Sequence, residues 1–391
     1  MENKSTHKAE VIKLTEIYPH PDKEVTRMEV AKVFGWECCI GKGQFKIGQL
    51  AVFIQPDSIV PPEPQYEFLK RPEDGTEFPV RRRIIRARRL RKLWSAGLVV
   101  AVPEGIEAKE GDDLATVMKI EHYEPEMTAG GSGGSGSTKG GECERGPKGI
   151  FPYYDVDNFR RFSNMFQEGE EVVATEKIHG ANMLAVYQDG RFWVRSRENW
   201  KRPSLADKLL YATNAWEKFK IKWLMANKAV VFKLFRYLPF LRRYIKINFS
   251  TQTCWWWEGL NNSPETQQFL KENPGVVVYC EVYGKVQKKL HYGIPEKCNI
   301  AIFDILMHGQ WIDWIHVQQL AAKYRLPWAP MVYRGPMDAK KLCELAEGNS
   351  MIEGADCIRE GIVVKPIVER RDEKGSRVQL KIVSNEYLGK D

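Results

Sequence analysis

Residues 172–180 read VVATEKIHG, and this stretch decides how the rest of the chain is interpreted. The apolar run from Val172 to Ala174 predicts a buried strand. Lys177 follows that strand, and Gly180 permits a close approach between the backbone and a ligand. By itself, a lysine two residues before His or Asp and three before Gly arises by chance in roughly one chain in ten, as part of a solvated turn. The position after a strand makes Lys177 a candidate for chemistry.

Length and composition limit the class of protein. The chain has 391 residues, enough for two domains that each bury a core. Its net charge of +8 and pI near 8.9 favour polyanionic partners but also suit a plain soluble enzyme. Eight cysteines without CxxC spacing indicate reduced, intracellular thiols. With no signal peptide and no membrane-spanning apolar run, we expect a cytoplasmic protein that does not enter a membrane.

A Gly/Ser-rich stretch divides the chain into two. Residues 129–141 read AGGSGGSGSTKGG, which contains no large apolar residue for a core and predicts a flexible linker. The run is similar to an engineered linker, and a natural tether is the alternative. We therefore predict an OB-like nucleic-acid-binding domain over 1–126, a linker over 127–147 and a second domain over 148–391.

The two parts predict an α+β fold. Before the linker, β-rich runs such as 27–33 and 50–54 alternate with Gly, Pro and Asp turns, which favours an OB-like antiparallel β-barrel. After the linker, helical stretches separate strands that are predicted at 171–175, 183–187, 192–195, 276–280, 300–306 and 362–365.

The longest predicted helical region runs from Ser204 to about Asn248, with Pro239 expected to break it. Its basic aromatic part, residues 216–244, has three interpretations: packing on the catalytic core, contact with a nucleic-acid duplex, or a basic helix on a membrane surface. Packing with some duplex contact is favoured, because the chain carries no second membrane signal. The three tryptophans at 255–257 are expected in the core.

The motif around Lys177 resembles a known family. A lysine that attacks phosphorus must lose its proton, and nearby cations, a metal or partial burial promote that loss. Residues 176–182, EKIHGAN, resemble the nucleotidyl-attachment motif of covalent nucleotidyltransferases, in the His-containing form typical of template-dependent RNA ligases. DNA ligases and capping enzymes usually carry Asp at this His position. The resemblance implies that Lys177 becomes covalently bound to AMP, and that its neighbours bind the nucleotide: Glu176, Ile178, His179, Gly180 and Asn182.

Further motifs of the same family follow in order. Residues 195–197 resemble the motif whose arginine contacts the nucleotide and the 5′-phosphate, with Arg197 the better match. In CEVYG, residues 280–284, Glu281 resembles the glutamate that holds the ribose hydroxyls. Phe303 resembles the aromatic residue that stacks on adenine, although a core position is the ordinary alternative. A solvated strand edge is the alternative for the arginine, and an exposed strand end for the glutamate.

The last motifs concern metal and phosphates. Glu360 opens EGIVVKP, which resembles the motif whose glutamate positions a catalytic metal. Residues 379–381 stand where the family places two lysines that reach the ATP phosphates. Only Lys381 matches, because Gln379 brings no charge, and Lys365 is expected to take part of that role. The resemblance therefore implies ATP and a divalent metal, Mg or Mn, as cofactors. With this family fold, the second domain would be a nucleotidyltransferase domain of antiparallel sheets and helices.

The N-terminal part resembles the OB domain of Deinococcus-type RNA ligases. The resemblance rests on IYPHPD at 17–22 and VFGWE at 33–37, and the chain ends ten residues after Lys381, without room for a C-terminal OB domain. Residues 81–92 hold eight basic residues in twelve. A solvated face is the alternative, but this density predicts contact with a phosphate backbone through four arginines: Arg83, Arg86, Arg88 and Arg91.

Together these resemblances imply an ATP-dependent RNA ligase, expected to be a monomer acting in RNA repair. It would seal 3′-hydroxyl/5′-phosphate nicks in an RNA or RNA/DNA duplex through lysyl-AMP and an adenylylated 5′ end. Two alternatives stay open: a nucleotidyltransferase that only caps or adenylylates an end, and a non-catalytic nucleic-acid-binding protein on a ligase scaffold. His179 in place of Asp disfavours capping, and the presence of Lys177, Glu281 and Glu360 disfavours a dead scaffold.

Overall fold

The computed structural model describes residues 8–91, 93–122, 143–227, 253–287, 290–372 and 375–389. The chain forms an N-terminal β domain and a C-terminal domain of two larger sheets with helices. No helix within the described ranges is both long and apolar enough to cross a membrane. Most of the predicted linker lies outside these ranges, so the predicted domain boundaries stay a prediction.

Short strands and one helical turn make up the N-terminal domain. They are β1 (Ala9–Lys13), β2 (Glu16–Pro19), β3 (Met28–Val33), β4 (Trp36–Gly41), β5 (Leu50–Ile54), β6 (Ser58–Ile59), α1 (Val80–Arg83), β7 (Arg88–Leu90), β8 (Leu93–Ser95), β9 (Leu98–Val100) and β10 (Glu121–His122). The sheets have the orders β1-β5-β9, β2-β3-β4, β6-β10 and β7-β8. Successive side chains of a strand point to opposite faces, so Val52 and Ile54 enter one apolar cluster while Ala51 and Phe53 enter another.

The C-terminal domain alternates strands and helices. Its elements are β11 (Asp157–Asn158), α2 (Phe159–Phe162), β12 (Glu171–Lys177), β13 (Ala181–Gln188), β14 (Arg191–Ser196), β15 (Trp200–Lys201), α3 (Leu205–Tyr211), α4 (Ala215–Ala226), α5 (Trp255–Asn261), α6 (Pro264–Glu272), β16 (Val277–Gly284), β17 (Cys298–Met307), β18 (Gln310–Trp311), α7 (Trp314–Tyr324), β19 (Met331–Pro336), α8 (Ala339–Leu345), β20 (Gly361–Pro366), β21 (Leu380–Val383) and α9 (Asn385–Leu388).

The Lys177 motif lies where the chain crosses between the two large sheets. One sheet has the order β11-β21-β20-β12-β19 and the other β15-β14-β13-β16-β17-β18. Since β12 ends at Lys177 and β13 begins at Ala181, the three residues between them connect the sheets. A Cβ atom on Gly180 would lie 2.1 Å from the carbonyl oxygen of Val282, so the crossing requires glycine at this position.

Most predicted elements are found. The eight predicted strands overlap β3, β5, β12, β13, β14, β16, β17 and β20. The tryptophans at 255–257 are buried in α5, as expected. Within the described part of the predicted long helix, the chain instead breaks between α3 and α4, and Pro239 lies outside it.

Two sequence expectations need correction. On α4, Ile221 packs inward, but Trp216, Phe219 and Trp223 are exposed, so core packing does not explain these aromatics. Since α4 begins after an Asn214 cap, its three aromatics face solvent at helical spacing. The basic run at 81–92, expected on a β-rich segment, begins with the helical turn α1 and continues into the hairpin of β7 and β8.

The two domains contact each other through buried polar groups. Glu10 of β1 and Arg161 of α2 form an ion pair of 2.6 Å with both side chains mostly buried. The neighbouring Arg160 donates from Nη1 to the carbonyl oxygen of Gly35 at 3.0 Å. Removing one partner would leave a buried charge uncompensated, at a cost of about 3–5 kcal/mol, so this contact constrains which residues are tolerated where the two domains meet.

Candidate active site

Lys177 and Glu360 form the centre of the site. Lys177 ends β12, whose antiparallel pairing with β20 places it opposite Gly361, the residue after Glu360. Lys177 Nζ donates to Glu360 Oε1 at 2.5 Å. The register of the two strands therefore brings together two residues that are 183 positions apart.

The carboxylates around Lys177 set its charge. Burial lowers the pKa of Lys177, but Glu360 and Glu281 outweigh burial and raise it. Burial raises the pKa of Glu360, but Lys177 and His179 bring it down to about 2. Lys177 and Glu360 are therefore a charged pair. In contrast, burial raises the pKa of Glu281 to about 8, because the attraction of Lys177 does not compensate for lost hydration.

An open pocket lies beside Lys177. It is partly open to solvent and is lined by residues of both large sheets. Its walls contain seven of the residues predicted to bind or attack a nucleotide: Glu176, Lys177, Ile178, Asn182, Glu281, Phe303 and Lys365. Lys381 also lines it.

Strand pairing explains how these side chains meet. Asn182 pairs with Glu281 across β13 and β16, and Glu281 pairs with Ala301 of β17. Phe303 lies where the β16–β17 register shifts, and it packs against the same apolar cluster as Ala301. Its ring lies 4.7 Å from the ring of Tyr154, which also lines the pocket. Phe303 is only partly buried, which leaves it a surface toward the pocket.

The cations of the pocket differ in how far their charge is compensated. Lys365 Nζ lies 2.5 Å from Asp304 Oδ2, which also accepts from Arg377 and Tyr154. Burial lowers the pKa of Lys365 and that of Lys381. Asp304 already neutralises Lys365. Lys381 is therefore the better candidate for neutralising phosphate charge, a role that was expected to fall partly to Lys365.

Three residues predicted to bind the nucleotide lie outside the pocket wall, as does Glu360, which reaches the site through Lys177. His179 and Gly180 are in the crossing segment behind Lys177, where the His179 backbone N–H donates to Tyr292 Oη at 2.7 Å. Arg197 is exposed and donates to Asp155 Oδ1 at 2.6 Å. Since Asp155 lines the pocket, Arg197 stands at its rim. Gln379 donates to the carbonyl oxygen of Asp155 at 3.0 Å and is buried.

The β domain also contributes to the site. Asp57, between β5 and β6, has the left-handed backbone angle φ of 61°. Burial and Glu360 raise its pKa to about 6, against the opposing effect of Arg86, Lys381 and Lys177. Asp57 and Arg86 therefore face the Lys177 centre. The sequence did not indicate Asp57, Tyr154 or Asp155 as site residues. No local pattern distinguishes such an aspartate in a turn, or such an aromatic residue in a loop, from others of its kind.

The basic run at 81–92, predicted to contact nucleic acid, has a partly buried part and an exposed part. Arg83 donates to the carbonyl oxygen of Val60 and is partly buried. Arg88 and Arg91 are exposed on the β7–β8 hairpin, where Arg91 lies 3.9 Å from Glu24. The hairpin thus carries the part of the strip that solvent reaches.

The N-terminal β domain is followed by two mainly antiparallel sheets with a lysine-centred pocket. This is the arrangement of an OB-fold domain followed by a ligase nucleotidyltransferase domain. Residues 9–102 match the model of an OB-fold domain, and residues 170–383, more than half of the chain, match the model of the family described as RNA ligase. The chain belongs to the RNA ligase family. The predicted α+β fold class is thereby confirmed.

Solved structures show the same fold over the whole chain. Naegleria gruberi RNA ligase with PPi is 20% identical, with a TM-score of 0.67 and coverage of 98% of both chains. A variant of that ligase with ATP and Mn is 19% identical, with a TM-score of 0.68 and coverage of 99% of both chains. A variant with AMP and Mn gives the same values. The comparison with curated protein sequences found no match.

Proposed function

We propose that this protein is an ATP-dependent RNA ligase that seals 3′-hydroxyl/5′-phosphate nicks in RNA-containing duplexes, as part of RNA repair. The observation that carries the proposal is the Lys177–Glu360 pair beside a pocket that both large sheets line. In the first step, Lys177 Nζ attacks the α-phosphorus of ATP, the new P–N bond replaces the bond to the β-phosphate, and pyrophosphate leaves. AMP then passes to the 5′-phosphate, and the 3′-hydroxyl displaces AMP as the strand closes.

ATP and a divalent metal, Mg or Mn, are the cofactors of this proposal. The solved structures of Naegleria gruberi RNA ligase include complexes with PPi, with ATP and Mn, and with AMP and Mn. Among the described residues, no group of three or more His, Cys, Asp or Glu side chains could hold a metal alone. Glu360 still fits, because Mg²⁺ is commonly bound by one or two carboxylates together with substrate phosphates. When bound, the metal would neutralise phosphate charge and compete with the Lys177 ammonium for Glu360.

The residues of the chain have distinct parts in this chemistry. Glu281 accepts from the ribose hydroxyls, and Phe303 offers a ring face to adenine. Lys381 supplies positive charge where negative charge builds on the phosphates, which is the main requirement of phosphoryl transfer. Arg197, at the rim, is placed for the 5′-phosphate of the second step once it releases Asp155.

The basic hairpin supports a nucleic-acid duplex as the partner. Exposed Arg88 and Arg91 lie on β7–β8, and Arg86 faces Asp57 and hence the Lys177 centre. A phosphate backbone can therefore follow positive charge from the hairpin toward the pocket. We place the activity in the cytoplasm and in a monomer, and the eight free cysteines support a reducing compartment.

The first experiment measures covalent nucleotide transfer. The full chain is incubated with α-labelled ATP or GTP and Mg²⁺ or Mn²⁺, and label on the protein is resolved on a denaturing gel. We expect label from ATP, its loss in Lys177→Ala, and normal labelling in Lys220→Ala, which removes an exposed lysine of α4. Label from neither nucleotide would contradict both enzymatic interpretations and favour a non-catalytic binding protein.

A second experiment separates sealing from end modification. The labelled enzyme is mixed with duplexes that carry a nick with an RNA 3′-hydroxyl end or with an all-DNA nick. Joining of the RNA-containing duplex supports the proposal. Labelled ends that never join favour the capping or adenylylating alternative, and joining of the all-DNA nick alone would show that the proposed substrate is wrong.

A further inference from the structure

A tyrosine near the end of the chain contacts the motif that holds Lys177. Tyr387 lies on α9, and its hydroxyl is 3.0 Å from His179 Nδ1. The two rings are 5.5 Å apart at an angle of 60°. No family motif includes this tyrosine, and the contact joins residues that are 208 positions apart.

His179 connects this tyrosine to the reacting pair. His179 Nδ1 is 3.4 Å from Glu360 Oε2, while the other oxygen of Glu360 accepts from Lys177. Tyr292 fixes the His179 backbone from the opposite side through a bond of 2.7 Å. Both groups approach the same ring nitrogen, so Tyr387 fixes the imidazole while the Glu360 carboxylate lies beside it. The position of the imidazole limits where that carboxylate can turn.

Helix α9 is itself held by the β domain. Leu388 is buried in the core of the barrel with Trp36 and Phe53, and Tyr387 packs against the same cluster. After the helix, a Cβ atom on Gly389 would lie 3.0 Å from the ring of Trp94, so the helix end fits closely against β8. The orientation of α9 therefore depends on the docked barrel.

The other side of α9 contacts the catalytic domain. Tyr387 also packs against the cluster that contains Ile178 and Tyr292, next to Lys177. At the start of the helix, the Ser384 backbone N–H donates to the carbonyl oxygen of Glu360 at 2.9 Å. The Ser384 hydroxyl accepts from the Tyr387 backbone N–H at 3.1 Å and caps the helix. One short helix thus contacts the barrel core, His179 and the backbone of Glu360.

We propose that Tyr387 is a positioning residue for lysine adenylylation, which joins barrel docking to the orientation of Glu360 through His179. The inference rests on the proposed function, because it concerns the first step of that reaction. The Tyr387 hydroxyl contacts no atom that reacts in the proposed first step. Its loss is therefore expected to lower the rate at which bound ATP reacts with Lys177, and to leave ATP binding unchanged. The pocket wall that receives ATP does not include it.

The test compares the full chain with Tyr387→Phe, which keeps the ring and its packing but removes the hydroxyl. Single-turnover formation of lysyl-AMP is followed over a range of ATP concentrations. We expect a maximal rate reduced about fivefold to tenfold, as for a lost hydrogen bond, with an unchanged half-saturating ATP concentration. The matched control is Tyr333→Phe, which removes an exposed hydroxyl that donates to the Pro336 carbonyl and is not part of the pocket wall. This control is expected to react like the unmodified protein.

A double variant tests whether Tyr387 acts through His179. Tyr387→Phe added to His179→Ala should cause no further loss, because both changes interrupt the same connection. Full additivity, or a normal maximal rate in Tyr387→Phe, would overturn the inference while leaving the ligase proposal intact. An unmodified protein that takes no label from ATP would overturn both. Melting temperatures of all variants show whether a rate change reflects loss of the fold.

Discussion

Lys177 Nζ and Glu360 Oε1 are 2.5 Å apart, so the proposed nucleophile is held as an ammonium by the carboxylate proposed to bind the metal. An ammonium cannot attack phosphorus. The same carboxylate therefore stabilises the resting pair and must release the lysine before the first step. This relationship makes the protonation of Lys177 the quantity to follow in variants.

Glu360→Gln should change the pH dependence of adenylylation. Glu360 raises the pKa of Lys177, so its removal lowers that pKa and moves the rise in rate to lower pH. The maximal rate should also fall, roughly 10–100-fold, since a metal-binding group is lost. Single-turnover rates across a pH series measure both effects. Glu386→Gln, an exposed neighbour, is the matched control. An unmoved pH profile would show that Glu360 does not hold the proton on Lys177.

Glu281→Gln should flatten the pH dependence of stability. The pKa of Glu281 is raised from 4.5 to about 8 in the folded chain. Its proton therefore stabilises the fold below the unfolded pKa, and this contribution is lost as pH rises through the folded pKa. The variant does not titrate, so its melting temperature should fall less than that of the unmodified protein between about pH 5 and about pH 9. Exposed Glu168→Gln is the control, and identical curves would contradict the burial of Glu281.

Asp304→Asn should destabilise the catalytic domain strongly. Asp304 is 1% exposed and accepts from Lys365, Arg377 and Tyr154. The variant therefore leaves buried Lys365 without its carboxylate, while Arg377 keeps only Glu369. Breaking such a buried pair costs about 3–5 kcal/mol. Thermal unfolding measures the loss. Asp189→Asn makes the same charge change in an exposed turn and should stay within about 0.5 kcal/mol. Equal melting temperatures would contradict the buried network.

Arg91→Ala should weaken duplex binding in a salt-dependent manner. Arg91 is exposed on the β7–β8 hairpin, so it is available to a phosphate. Losing one phosphate contact reduces the slope of log affinity against log salt by about 1. Arg334→Ala is the control, because this exposed arginine of β19 also has an acidic neighbour, Glu171, but lies outside the basic run. Fluorescence anisotropy with a labelled nicked duplex at several salt concentrations gives the slopes. Equal slopes for the two variants would assign the hairpin no part in binding.

Local patterns predicted most of the catalytic domain. The apolar runs before Lys177 and after Glu360 each had strand character, and the structure pairs them as β12 and β20. Glu281 and Phe303 followed from motifs at strand positions, and both reach the pocket wall. The strands could be predicted because apolar runs are a local signal, whereas Glu281 and Phe303 were indicated by their resemblance to family motifs.

Contacts between distant segments could not be predicted in this way. Asp57 reaches the site only because the barrel docks against the catalytic domain, and Tyr387 only because α9 lies between them. The motif containing Arg197 implied a nucleotide contact, but its guanidinium binds Asp155 at the rim. A side chain's partner depends on tertiary geometry, which no spacing in the sequence records.

The crossing segment between Lys177 and Ala181 links the stability of the two large sheets to nucleotide binding. The pocket is lined by β12 of one sheet and β16 of the other, which the chain joins there through three residues. A nucleotide bound in the pocket would therefore contact both sheets at once. A ligand that binds only the folded chain adds about 2.7 kcal/mol at a hundred times its dissociation constant. Cellular nucleotide supply would thereby set how firmly the two halves of the catalytic domain stay together.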